Sequence, residues 1–370
     1  MARRVERLAI VWESLGPSHR DRIAAAAAAG FAVTGIGFGR DSAVYRWEAG
    51  EAAGARQEVL AEGPPPQGQW QLGWRLAMAL WRGRYDAVFL CHYHLPAVFA
   101  LAVVLRLAGR RVFTMIDSKF DDAPRRLRRE LVKRALLLPY HGALAGSLRT
   151  AAYLHLLGFA RRPVACGYDS LSLARLRALA DGAPEPPHGA RDFLIVARLV
   201  PKKNLAFALR AFATQQPGAR YPRRLRIIGE GPEEPALRQL AARLGVEERV
   251  DFAGWLDAAE IARAMRAALC LILPSKEEQY GLVVGEALAQ GLPVLVSARA
   301  GAVEGLIDNG CNGWIIDPVR PQALIAAMAR LDRDRAAWQA VRQAAWHSAQ
   351  RGDVQVFVAA LRTLLRRTGG

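Results

Sequence analysis

Short apolar runs alternate with longer stretches rich in Ala, Leu and Arg along almost the whole chain, and the series begins twice. The first half supplies Leu8 to Trp12, Ala32 to Ile36, Ala87 to Leu90, Val112 to Met115, Gly142 to Ala145 and Val164 to Cys166. The second supplies Phe193 to Val196, Leu225 to Ile228, Val250 to Phe252, Leu271 to Leu273, Val294 to Val296 and Gly313 to Ile316. Short runs of this kind read as buried strands and the segments between them as helices, which is the pattern of parallel sheets covered by helices on both faces. Between the two series, Asp181 to Asp192 reads DGAPEPPHGARD, a Pro- and Gly-rich linker. The expected organisation is α/β: a doubly wound domain over 1–180, a linker over 181–192, a second doubly wound domain over 193–350 and a terminal segment over 351–370. Two such domains are expected to face a central cleft at the carboxyl ends of their sheets, where open sheets bind ligands.

With 52% hydrophobic and 23% charged residues, the 370-residue chain is neither disordered nor collagen-like, and its four cysteines do not make a disulfide scaffold. Cys91, Cys166, Cys270 and Cys311 lie far apart, without zinc or redox spacing, so a reducing compartment is the simpler reading. The start of the chain lacks the long apolar region of a secretion signal. The longest apolar stretch, Leu95 to Leu105, has 11 residues, against the roughly 20 that a membrane-spanning helix needs. A cytoplasmic protein is expected. Its 51 bases against 34 acids leave a net charge of +17, and only five of the bases are Lys. That balance favours anionic partners without choosing among nucleic acid, phosphate and membrane surface. Aromatic–basic interleaving and a nucleic-acid recognition motif are both missing, so nucleic acid is not the expected partner, although a basic nucleic-acid-binding protein stands as the non-enzymatic alternative. Arg125 to Arg134, broken by Leu127, Leu131 and Val132 and followed by apolar Ala135 to Leu138, reads as a basic amphipathic helix. It is either a solvated face or a peripheral contact with the anionic inner face of the cytoplasmic membrane.

Leu271 to Val296, LILPSKEEQYGLVVGEALAQGLPVLV, restricts function most. It reads as a strand, a Pro-Ser turn, an acidic pair, a helix beginning near Gly281, and another strand. A helix start offers unsatisfied N–H groups and a positive dipole end, which suit a diphosphate, and glycine there lets the ligand approach the backbone. Glu278 precedes the helix and Glu286 lies inside it. Carboxylates beside a phosphate site cost Coulomb energy, and accepting hydrogen bonds from ribose or sugar hydroxyls is a use that offsets it.

This segment resembles the signature of retaining glycosyltransferase family 4, in which two Glu are separated by seven residues. Glu278 and Glu286 match them, and Pro274, Ser275, Tyr280, Gly281, Ala287, Gly291, Pro293 and Val294 match the surrounding pattern. Upstream, FLIVARLVPKKN is similar to the family's first donor-domain strand with its Arg and Lys pair, here Arg198 and Lys203, with Ala197 where the family usually has Gly. Gly229 and Gly231 of LRIIGEGPEEPAL, Gly254 of VDFAGWL, and Gly301 to Gly310 with Glu304 continue the likeness, which covers Phe193 to about Pro318.

The resemblance implies a GT-B fold of two Rossmann-like domains, the first binding acceptor and the second binding nucleotide sugar, with a terminal helix crossing back to the first. It implies a retaining glycosyltransferase that uses a nucleotide-sugar donor and a glycan or lipid-linked acceptor, with no metal in the chemistry. Arg198 and Lys203 would stabilise the leaving diphosphate, Glu278 would hold the donor sugar, Glu286 the ribose, and Gly229, Gly254, Tyr280, Gly281 and Leu282 would line the donor site. A GT-B epimerase or phosphorylase is the enzymatic alternative. In the first half, Gly16 stands where the family has a Gly-containing loop facing the donor phosphates. His19 follows it, as an exposed helix-start residue or facing acceptor. Many members carry a His near the reacting sugar; here Asp117 of VFTMIDSKFDD stands at that place, and His92 or His94 of FLCHYHLP is the alternative from the neighbouring strand end. The pieces IDSKFDD and GYDSLS suggest a branch that builds bacterial surface polysaccharide or lipopolysaccharide.

Overall fold

A computed structural model of the chain describes residues 5–40, 50–63 and 68–368. Residues 1–4, where the reading of the chain's start begins, lie outside the described residues. The chain divides into two compact units, residues 1–172 with 354–370, and residues 173–353.

The first unit is built on a parallel sheet in the order β3-β2-β1-β4-β5-β6-β7. Its strands are β1 (Arg7–Trp12), β2 (Ala32–Gly37), β3 (Arg56–Val59), β4 (Ala87–Leu90), β5 (Arg111–Ile116), β6 (Gly142–Ala145) and β7 (Val164–Cys166). β1 pairs β2 and β4 on its two sides, with Ile10 opposite Gly35 and Phe89. Leu8 to Trp12 are all buried because helices cover both faces, and this is why the run is continuously apolar rather than alternating. The helix Val354–Arg367 belongs to this unit and buries Phe357, Leu361, Leu364 and Leu365 where it packs against the helix Pro17–Ala28 and against β6 and β7.

The second unit repeats the plan with six parallel strands in the order β10-β9-β8-β11-β12-β13. They are β8 (Phe193–Val196), β9 (Leu225–Ile228), β10 (Val250–Gly254), β11 (Cys270–Leu273), β12 (Val294–Ser297) and β13 (Gly313–Ile316). Sequence direction reverses between β8 and β11, which pair through Cys270–Phe193 and Leu271–Leu194. Such a reversal opens a crevice beyond the strands' carboxyl ends.

One boundary differs from the composition-based reading. Residues 181–192 do not lie between the units: the division falls at Ser172 and Leu173, and this segment is part of the second unit. Its His188 and Arg191 are buried, and the fully buried Arg223 guanidinium donates to the carbonyls of both. Composition marked a linker, and distant hydrogen bonds fix it within the second unit.

Candidate functional site

The loops after β8 and β11 meet at the second unit's reversal point. The Lys276 N–H donates to the Lys202 carbonyl at 2.8 Å, which ties one loop to the other. Asn204, in the left-handed region at φ 59°, donates through Nδ2 to the Pro274 and Pro318 carbonyls at 3.1 and 2.9 Å. These bonds aim Lys203 at Glu278: Nζ and Oε2 are 2.5 Å apart, and Ser275 Oγ donates to the same oxygen at 3.0 Å. Both charged side chains are largely buried, 14% and 13% exposed.

Glu278 leads into the helix Leu282–Ala289, whose N-cap is Gly281 at φ 95°. That backbone conformation favours glycine, and a Cβ there would also lie 3.3 Å from the Glu278 Cγ. The first N–H groups of the helix, which follows Glu278 after three intervening residues, have no intrahelical acceptor. Tyr280 and Leu282 flank the cap, half-buried. Glu286 lies one turn further on, partly buried; burial pushes its carboxyl up, and the Arg175 guanidinium pulls it down.

Arg198 follows β8 by two residues and is half-buried. Beside it, Gly229 at φ 127° donates its N–H to the Gly254 carbonyl at 2.7 Å, and a Cβ on Gly229 would meet the Ala197 carbonyl oxygen at 2.1 Å. Ala197 itself is not among the residues at positive φ, so a side chain is tolerated where the resembling pattern has Gly. Arg198, Lys203, Gly229, Gly254, Glu278, Tyr280, Gly281, Leu282 and Glu286 thus all lie at the carboxyl ends of strands of this one sheet or on the loops and helix that follow them.

The first-unit candidates lie just after β1, β4 and β5. Gly16 is the buried, extended N-cap of the helix Pro17–Ala28, and its N–H donates to His19 Nδ1 at 3.1 Å. His19 is therefore a half-buried capping residue at the helix start, its ring tilted against Trp12 with centroids 4.9 Å apart. Burial and the nearby Arg22 hold its pKa well below the ordinary histidine range. His92 and His94 do not share a strand face, because β4 ends at Leu90 and His92 takes φ 54°. Their rings still meet edge-on at 5.6 Å, and His92 Nε2 lies 3.5 Å from Glu13 Oε2. Burial lowers the His92 pKa, Glu13 opposing. Asp117 follows β5, and burial pushes its carboxyl up while backbone N–H groups pull it down. The adjoining Lys119 is buried and paired with Asp121 and Asp122.

Asp169 stands close to Asp117 across Gly146, where an added Cβ would lie 2.4 Å from Asp169 Oδ2 and 3.4 Å from the Asp117 Cβ. Burial and then the Asp117 charge push Asp169 up to about 7, with Arg22 opposing. The folded carboxyl then holds its proton more tightly than the unfolded one, so stability contributed below about pH 4 is lost as pH rises through about 7. Asp169→Asn is expected to flatten this loss, whose slope approaches about 1.4 kcal/mol per pH unit. Urea unfolding between these limits checks it; an unchanged slope would show that Asp169 is ionised throughout.

Among the described residues no group of three His, Cys, Asp or Glu side chains is placed to hold a metal ion.

Residues 180–347, a little under half of the chain, match the model of the glycosyl transferases group 1 family. That segment belongs to this family. A D-inositol 3-phosphate glycosyltransferase of Acidothermus cellulolyticus is 39% identical over 147 residues, 37% of this chain and 32% of that protein. The putative colanic acid biosynthesis glycosyltransferase WcaL of Salmonella typhimurium is 28% identical over 260 residues, 66% of this chain and 61% of its own length. The chain thus spans from a third to three fifths of these relatives. Among solved structures, Anabaena Alr3699/HepE in complex with UDP covers 98% of this chain, and all of its own, with a TM-score of 0.74 at 18% identity. At that identity the likeness shows the fold, which is GT-B.

Three residues that contact candidate positions or position their loops carry no signal in the motif spacing. Arg175 precedes the matched segment and reaches Glu286 only through the packing of the helix Leu173–Leu179. Asn204 closes FLIVARLVPKKN, and its role comes from a left-handed φ and two side-chain bonds that only the fold supplies. Glu13, the partner of His92, is an ordinary exposed acid in sequence.

Proposed function

We propose that the chain is a retaining glycosyltransferase that moves a sugar from a nucleoside-diphosphate donor to a glycan or lipid-linked acceptor in surface-polysaccharide or lipopolysaccharide assembly. The observation that carries this reading is the Lys203–Glu278 pair at the reversal point of the second sheet, directly before a helix N-terminus. A cation, free N–H groups and a carboxylate there suit a diphosphate joined to a polyol. Arg198, Lys203 and the N–H groups after Gly281 neutralise charge growing on the departing diphosphate. Glu278 accepts from donor-sugar hydroxyls and Glu286 from ribose. Departing phosphate oxygen takes the acceptor proton on the same face, which gives retention without a protein nucleophile, and Asp117, His92 or His94 is the residue assigned by this reading to the reacting centre. The WcaL likeness supports the polysaccharide assignment, and the HepE complex makes UDP the first nucleotide to try.

Thermal shifts with UDP, GDP, ADP, TDP and CDP test the donor site. A ligand at 100 times its Kd stabilises by about 2.7 kcal/mol. One nucleotide is expected to stabilise the protein and to lose that effect in Glu286→Ala. No nucleotide-specific shift, with salt-sensitive stabilisation by nucleic acid instead, would overturn the reading. Product anomeric configuration by NMR tests retention, and undiminished turnover in EDTA is expected where Arg198 and Lys203 are the neutralising cations.

A further inference from the structure

Two helices of the first unit carry an outward face that core packing does not explain. The helix Gln69–Gly83 buries Leu72, Leu76, Ala79 and Leu80. Helical spacing puts Trp70, Trp74 and Trp81 together on a different side, 71%, 70% and 70% exposed. Packed alongside is the helix Pro96–Leu107. The two approach closely, since a Cβ on Gly73 would lie 2.8 Å from the Ala97 Cβ. The second helix falls in the longest apolar stretch of the sequence. Its less buried side presents Pro96, Ala100, Val103, Val104 and Leu107, with Val104 54% and Leu107 83% exposed. An amphipathic surface helix ordinarily turns polar residues outward, and here one helix turns out tryptophans and the other aliphatics.

The charge around this face has one sign. From residue 69 to residue 111 the sequence holds six Arg and a single acid, Asp86. Arg82, Arg84 and Arg110 line a recess of about 450 Å³ together with Trp81, over an apolar floor that includes Val88 and Leu105. Among the described residues no carboxylate lies within ion-pair distance of these three guanidinium groups.

We propose that this face docks the chain on an anionic lipid bilayer, with Trp70, Trp74, Trp81 and Leu107 at the boundary of headgroups and acyl chains and Arg82, Arg84 and Arg110 on lipid phosphates. Tryptophan prefers that boundary because its ring is apolar and its N–H is not, and guanidinium forks match phosphate oxygens. A second copy of the chain would press the same unpaired cations together, which opposes self-association through this face. The helix Leu127–Leu136 also turns Leu127, Leu131 and Val132 outward, but its Lys133 is paired with Glu130, and Arg125, just before it, is bound to Tyr153. The inference does not depend on which reaction the chain carries out.

Sedimentation of the full chain with vesicles of phosphatidylglycerol and phosphatidylcholine, and of phosphatidylcholine alone, tests it. Binding is expected to the anionic vesicles only, with a blue shift of tryptophan emission. The triple variants W70S/W74S/W81S and R82Q/R84Q/R110Q are each expected to weaken it on the order of tenfold or more. Thermal unfolding without lipid checks that both remain folded, and the Arg variant leaves the aromatic stripe intact should the Trp variant fail that check. Three results would overturn the proposal: no anionic-vesicle binding, loss confined to R126Q/R128Q/R129Q, or a molecular mass in lipid-free solution that falls from dimer to monomer in W70S/W74S/W81S.

Discussion

Lys203→Ala is expected to lower kcat by about 10²- to 10³-fold, the range seen when one preorganised group that stabilises developing negative charge is removed. Two effects of the substitution run together. The diphosphate loses a cation at the moment its charge grows, and Glu278 loses its counter-charge in a largely buried setting. The second effect predicts that donor affinity falls as well, because an uncompensated carboxylate repels the diphosphate. Lys203→Arg keeps the charge but not the short ammonium geometry at 2.5 Å, and is expected to fall between alanine and the natural residue. Initial rates at saturating donor, with a separate melting curve for each variant, decide the matter. A rate within about fivefold of the natural protein would remove Lys203 from the chemistry and leave it a loop-fixing residue.

Asp332→Ala carries the largest expected effect on stability, a loss of about 3–5 kcal/mol, because it strands a buried guanidinium. Arg223 and Asp332 are both fully buried, with Nε and Oδ1 2.5 Å apart. The other Asp332 oxygen accepts from the Arg220 N–H at 2.6 Å. Arg223 donates onward to the His188 and Arg191 carbonyls, so the pair fastens the segment before β8 to the helix Gln322–Arg333. Replacing both, as in Arg223→Met with Asp332→Leu, is expected to recover much of the loss, since no charge is then left unpaired. Urea unfolding of the full-length variants measures both; equal losses for the single and double variants would assign the cost to packing.

The strands were legible where both faces are buried. Every apolar run read from the sequence lies within a strand, but β3 was missed. Its sequence, RQEV, has one apolar residue, because it is an edge strand whose residues remain partly exposed. The ends of elements were less legible. Nothing in FLCHYHLP marks His92 as the residue that turns out of β4, since left-handed backbone at a non-glycine residue is set by what surrounds it. At the candidate site, Lys203 and Glu278 were both visible from motif spacing. Their pairing was not, because it depends on β11 lying beside β8 rather than beside β10, its neighbour in sequence. The segment 181–192 failed for a similar reason: its partners, Arg223 and the Leu331 carbonyl, lie far along the chain, and composition is a local measure.

The route of the chain sets an order on its synthesis. It leaves the first unit after Ser172 and returns at Val354, where the Val354 N–H donates to the Leu171 carbonyl at 3.0 Å. A ribosome working from the N-terminus finishes all six strands of the second unit before the helix Val354–Arg367 exists. Until then, the apolar surface that receives Phe357, Leu361, Leu364 and Leu365 stays open on the helix Pro17–Ala28 and on β6 and β7. The nascent first unit must carry that surface uncovered while 181 further residues are added, a period in which it can aggregate. The unit begun first is the one completed last, so a ribosome stalled in the second unit would release a chain with its older half unsealed.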